Sequence, residues 1–236
     1  MNKKRIAGLD TFRGWAILLM ISYHFTYDLN LFKIISVDMN HTISFLTFRY
    51  TIMTMFLLGV GISLALVHKH DIKWTNVKKR MLQLGIASTL VTIATYTQFP
   101  HSWVYFGILH FIFIASLLAL FFLPYPKITL FTSILIFLGY FTKIFHMHNL
   151  FSLLQPLLHL PRYTEDLVPI FPWFAIVLLG IFIVQHNWQE KLFSLKFLNS
   201  KNSLNRLLKI MGKHSLLIYL AHQPILFAGF MLFLKL

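Results

Sequence analysis

The chain has 236 residues, of which 57% are hydrophobic, only 12% are charged and 25 are Phe. Soluble domains run roughly 45–50% apolar and about 25% charged, so this balance excludes a soluble enzyme, a disordered regulator and a nucleic-acid module, and points to an integral membrane protein. A formal net charge of +14 comes from 21 Lys and Arg against 7 Asp and Glu, and the absence of Cys excludes disulfides, thiolate catalysis and Cys-ligated zinc.

Seven apolar runs lie along the chain, at 12–32, 45–67, 81–98, 104–123, 128–146, 168–186 and 214–234. Each is long enough to cross a hydrocarbon core of ~30 Å as a helix. The run at 128–146 is the weakest, because Lys143 and His146 crowd its end. The expectation is an all-α, single-domain bundle of about seven transmembrane helices over residues 1–236. The opening Met-Asn-Lys-Lys-Arg has the look of a signal peptide. Asp10, Arg13, His24 and Asp28 interrupt the apolar stretch behind it and no small-x-small cleavage site appears, which favours a retained first helix.

The cations sit between the runs. Lys3, Lys4, Arg5, Lys127 and the groups from Lys69 to Arg80 and from Lys191 to Lys213 put fifteen Lys and Arg on one side. Lys33, Arg49, Lys143, Arg162 and Lys235 put five on the other. The positive-inside rule then predicts a cytoplasmic N-terminus and an outside C-terminus, in a multi-pass protein of the cell membrane, the inner membrane if the cell is bacterial. The basic excess is thereby explained by orientation, with no nucleic-acid partner required. Trp188 to Met211 is a basic amphipathic stretch, expected as a surface-lying connector. Leu150 to Pro161 is apolar but too short to cross, and suits a re-entrant or interfacial cap.

Ionisable groups at membrane depth cost a few kcal/mol and are functional candidates by default. With His24 set at zero on a helical wheel, Asp10 and Asp28 fall near about +40° and Arg13 near about −20°, on one stripe of the first helix. His24 and Asp28 are four residues apart and can touch. A carboxylate on one imidazole nitrogen fixes the tautomer and raises the basicity of the other, which prepares a general base or a nucleophile; the alternative is a polar pair that only locks helices together. Asp10 and Arg13 are either a helix-start ion pair or a cytoplasm-facing site for a phosphate or carboxylate. His110 and His222 come within ~10 Å of midplane on two other helices. Each could be an interhelical bridge, but three histidines at one depth suggest a site. Arg49 at an outer mouth either snorkels or binds, and Asp166, with Glu165 and Arg162, precedes the sixth helix as loop charge or ligand contact. Gly59 and Gly61 read as close helix packing, and Pro169, Pro172 and Trp173 as a kinked or capped helix start. No HExxH-like spacing supports a metal.

Arg5-Ile-Ala-Gly-Leu-Asp10-Thr-Phe-Arg13-Gly14 through His24 resembles the opening of the bacterial members of the heparan-alpha-glucosaminide N-acetyltransferase catalytic family. Phe56 to Ser63, Phe106 to His110, Asp166 to Trp173 and Lys213 to Pro224 also resemble family blocks, in family order and across nearly the whole chain. The Arg13–His24 spacing is similar to the Arg-x10-His element of membrane acyltransferases that O-acylate surface sugars. The resemblance implies an integral-membrane acyltransferase that takes an acyl group from cytoplasmic acetyl-CoA and delivers it to a sugar or glycan on the far side, with Arg13, His24, His110 and His222 at matching positions. The lysosomal member has its histidine in the loop after the first helix; the nearest loop candidate here is His41, whose surroundings do not match.

On this reading Asp10 and Arg13 face acetyl-CoA, and His24, oriented by Asp28, acts as general base or carries the acyl group. His222 shares the chemistry, and Arg49, His110 and Asp166 hold substrate. The expected partners are the bilayer, acyl-CoA and the glycan, and a homodimer is compatible. The rival readings are a proton-coupled transporter of a small anion, which uses the same buried residues, and a non-catalytic membrane subunit. A seven-helix plan without an inverted repeat is unusual for a transporter.

Overall fold

The computed structural model describes residues 6–145 and 148–235, and is all-helical over them apart from loops and one isolated parallel bridge between Phe106 and Leu167. Lys3, Lys4 and Arg5, and His146 of the His146/His148 pair, lie outside the described residues. The helices are α1 (Ala7–Leu31), α2 (Ile43–Val67), α3 (Trp74–Gln98), α4 (Ile108–Ala119) with a 3-10 turn at Leu120–Phe122, α5 (Pro126–Phe141), α6 (His148–Leu157), α7 (Ile170–Gln185), α8 (Trp188–Phe193), α9 (Lys196–Asn199), α10 (Ser203–Lys213) and α11 (Ser215–Leu234).

Each of the seven apolar runs becomes a helix, with shifted ends. Helix α1 starts at Ala7, five residues earlier than the apolar run, so Asp10 sits in its first turn. Helix α3 starts at Trp74 because Lys78, Lys79 and Arg80 are good helix formers and extend the apolar run backwards. Pro126 occupies the first turn of α5, where its missing N–H costs nothing. Helices α2 and α11 are long and apolar enough to cross a membrane by length and composition, and α4 with its 3-10 turn, α5 and α7 are shorter apolar helices.

The chain folds as two compact units. One holds the residues up to Gly59 and from Gln189 onward, and the other holds Val60–Trp188. In the first unit α1 packs along α10, with α9 and α11 beside it. Ile17, Met20 and Ile52 centre its core, against Phe48, Phe56, Met211 and Tyr219. The α1–α10 crossing is made backbone to backbone. A Cβ on Gly14 would collide with the Leu208 carbonyl oxygen, and a Cβ on Gly212 with the Asp10 carbonyl oxygen. Within the basic stretch from Trp188 to Met211, α10 packs one face on α1. Asn205, Leu208 and Gly212, three and four residues apart, make one buried face of α10, while Leu204, Leu207 and Ile210 stay exposed.

In the second unit α5 packs on α7, α3 on α4, and α4 on α7. Gly61 lies where an added Cβ would strike the Val177 carbonyl oxygen, as close packing requires. Gly59, in the first unit, instead faces the Arg13 and Phe12 side chains at ordinary contact distance. Ser133 donates to the Ala175 carbonyl at 2.9 Å, and Gln185 Nε2 donates to the carbonyls of Phe122 and Leu123 that the 3-10 turn leaves open. Pro169 caps α7, and non-helical Phe171 puts a kink in its first turn, as the proline pattern suggests.

Candidate active site

The first unit brings His24 of α1 against His222 of α11. Their ring centroids are 4.7 Å apart with the planes at 79°. His24 Nδ1 lies 3.0 Å from the Met20 carbonyl oxygen, one helical turn back. A carbonyl only accepts, so Nδ1 carries the hydrogen and Nε2 keeps the basic lone pair. His222 Nδ1 donates in the same way to the Tyr219 carbonyl at 2.6 Å, and its Nε2 is buried with no hydrogen-bond partner. Two imidazoles on two helices thus share one tautomer, fixed by backbone carbonyls, and place their Nε2 lone pairs in one seam.

Asp28 does not orient His24. It is fully buried, and its Oδ1 accepts from Gln223 Nε2 at 2.7 Å, tying α1 to α11 across 195 residues of sequence. The four-residue spacing puts Asp28 on the right stripe, but Met20 supplies the histidine with a nearer acceptor on the same helix. Gln223 is the site residue that sequence reasoning misses. The available signal is a second polar side chain directly after His222 in an otherwise apolar helix.

At the other end of α1, Asp10 is buried under Gly212, and the half-buried Arg13 runs past Gly59. Arg49 on α2 sits over the Tyr50 ring, with Cζ 5.5 Å from the centroid. In the loop between α1 and α2, exposed His41 holds Asp38 through Nδ1 at 2.9 Å, and Asp38 Oδ1 also accepts from the Asn40 and His41 N–H groups. Desolvation works against it, but the hydrogen bonds from His41 and Asn40 and the charge on His41 together hold the Asp38 carboxyl below the usual carboxylate range.

The second unit contains His110 and Asp166, and there both are built into the scaffold. The Gly107 N–H donates to His110 Nδ1 at 3.3 Å, so Nε2 carries the hydrogen. That hydrogen goes to Thr92 Oγ1 at 3.1 Å, and the Thr92 hydroxyl donates onward to the Val104 carbonyl at 2.8 Å. Both ring nitrogens are occupied, and α3 is latched to the start of α4. Asp166 Oδ2 accepts from the Ile108 N–H at 2.9 Å, placing a carboxylate on the first turn of α4, where exposed amides and the helix dipole favour it. The segments that carry them run side by side: Val168 N–H donates to the Phe106 carbonyl and Ser102 Oγ to Glu165 Oε1 at 2.6 Å.

The family model described as heparan-alpha-glucosaminide N-acetyltransferase, catalytic, matches residues 5–224, nearly the whole chain. The chain belongs to that family. Membership implies an acyltransferase-type function. The match runs through both faces of the histidine seam, since it takes in His24 and ends just beyond His222 and Gln223. No curated protein and no solved structure gives a significant match.

Proposed function

We propose that the chain is a multi-pass membrane acyltransferase that moves an acetyl group from cytoplasmic acetyl-CoA to a hydroxyl or amine of a sugar or glycan at the outer face. The observation that carries this reading is the His24–His222 pair, with both Nδ1 hydrogens tied to backbone carbonyls and both Nε2 lone pairs in one seam. Seven spans with a cytoplasmic N-terminus follow from the apolar runs and the cation asymmetry. Arg13, half-buried near the start of α1, is placed to meet the CoA end. Arg49 stands at the outer mouth. His110 and Asp166 position the scaffold of the second unit rather than touch substrate.

In the reaction, Nε2 of one histidine takes the acceptor's O–H or N–H proton as the acceptor oxygen or nitrogen bonds to the thioester carbonyl carbon. The tetrahedral intermediate collapses with breakage of the C–S bond, and the imidazolium returns the proton to the CoA thiolate. No carboxylate is needed to set the tautomer, because the helix carbonyls of Met20 and Tyr219 do so.

The test is CoA release from radiolabelled acetyl-CoA by the full chain in liposomes, with His24→Ala and His222→Ala beside it. General-base catalysis contributes about 10²–10⁴-fold, so at least one variant should lose about 100-fold or more. Full activity in both variants would remove the pair from the chemistry. Binding of acetyl-CoA without CoA release or label transfer by the folded wild type would overturn acyl transfer.

A further inference from the structure

Buried polar atoms nearly always find partners. In the α1–α11 seam three do not: Asp28 Oδ2, His222 Nε2 and Gln223 Oε1. All three are hydrogen-bond acceptors once His222 Nδ1 has given its hydrogen to Tyr219 and Gln223 Nε2 has given one to Asp28. Asp28 is completely buried and His222 nearly so. They are contiguous, because Asp28 holds Gln223 directly and His222 lies ring to ring with His24, one turn before Asp28 on α1. Rings of Phe25, Phe32, Phe227 and Phe230 pack on one another across the same two helices and provide an apolar wall.

Three contiguous acceptors without partners select for a group rich in donors. The thioester and the CoA phosphates bring only oxygen acceptors, and each amide of the pantetheine arm brings a carbonyl acceptor along with its single N–H. The amine or the hydroxyls of an acceptor sugar bring N–H and O–H donors. The geometry points to Asp28 and Gln223, together with His222 Nε2, as the seat of the acceptor's donor-bearing group, with Asp28 and Gln223 as the residues that set acceptor specificity. This rests on the acyltransferase reading and adds to it which of the two substrates the seam holds. His222 Nε2 is then the base closest to the proton that must leave, and Asp28 and Gln223 hold the nucleophile in place.

The test uses the full-length protein in liposomes, with glucosamine as an amine probe and glucose as a hydroxyl probe, and the variants Gln223→Met and Asp28→Asn. Acetyl-CoA affinity is measured separately by direct binding. Loss of one buried hydrogen bond to a ligand is worth about tenfold. Gln223→Met is therefore expected to raise the acceptor KM by about tenfold and leave the acetyl-CoA Kd unchanged, while Tm falls because the buried Asp28 carboxylate loses the Gln223 donor. Asp28→Asn separates the two sources of donors. A loss of 100-fold or more for the amine probe with a small loss for the hydroxyl probe marks an ammonium in the seat, and equal small losses mark hydroxyls. The proposal is overturned if the acetyl-CoA Kd weakens in either variant while the acceptor KM stays fixed. It is equally overturned if Gln223→Met lowers Tm with both substrates unaffected, because the pair is then only an interhelical tie. Absence of turnover in wild type that still binds acetyl-CoA is a failure of the acyltransferase reading itself. In that case binding of the two probes, followed by their protection against thermal unfolding, still decides the seat: protection of wild type but not of Gln223→Met supports it, and no protection overturns it.

Discussion

A histidine in a membrane helix can be a reagent or a rivet, and the partner of each nitrogen tells which. His110 has both nitrogens engaged by its own neighbourhood, one with the Gly107 amide and one with the Thr92 hydroxyl. Removing that hydroxyl should act on stability. Thr92→Val keeps the shape, strands the His110 Nε2–H and the Val104 carbonyl, and is expected to cost about 1–3 kcal/mol, measured as a fall in Tm with acetyl-CoA affinity unchanged; an unaltered Tm would show that the latch carries no load. His222 has one nitrogen engaged and one unspent. The sequence could place His24, His110 and His222 at similar depth, because depth depends only on rise per residue. It could not distinguish rivet from reagent, because that depends on Thr92, eighteen residues before His110, and on whether a carbonyl four residues back outcompetes a carboxylate four residues ahead. The stripe of α1 was legible; the partners of its members were not.

At the scale of the helix, α1 and α10 are held by the absence of side chains. An added methyl at Gly14 or Gly212 runs into backbone, which cannot swing aside as a side chain can. Gly14→Ala and Gly212→Ala are each expected to cost about 1–3 kcal/mol through forced separation of the helices. Gly229 on α11 meets nothing within 4 Å, and Gly229→Ala should be neutral or stabilising by up to about 1 kcal/mol, through helix propensity alone. Thermal unfolding of the three variants checks the contrast, and three equal shifts would contradict it. Amphipathicity correctly marks α10 as having one apolar and one basic side. It cannot say which residues meet protein: Asn205, Leu208 and Gly212 face α1, while the apolar Leu204, Leu207 and Ile210 stay exposed. The small residue within the stripe is the available clue, because a lipid-facing surface has no use for a glycine.

For the whole molecule, the apolar runs and the cation asymmetry predict a topology that the cysteine-free sequence makes simple to test. Single-cysteine variants need no background removed. Tyr163→Cys and Asn40→Cys lie at exposed loop positions on the side expected to face out, and His70→Cys and Lys201→Cys at exposed positions on the side expected to face in. In intact cells a membrane-impermeant maleimide should label the first two, and the second two only after permeabilisation. The reverse pattern would invert the orientation, and Tyr163 and His70 labelling together would break the span count between them.

Helix α1 finds its partners in α10 and α11, which are made long after it. Gln223 follows Asp28 by 195 residues. At about 5–20 residues per second of synthesis, a buried carboxylate, and a glycine shaped to receive another backbone, wait roughly 10–40 s for the segments that fit them. During biogenesis α1 therefore leaves the ribosome long before α10 and α11 and is completed only when they follow. A truncation that removes α11 should leave α1 in the condition of an unfinished nascent chain, exposed to whatever machinery surveys the membrane for polar helices without partners.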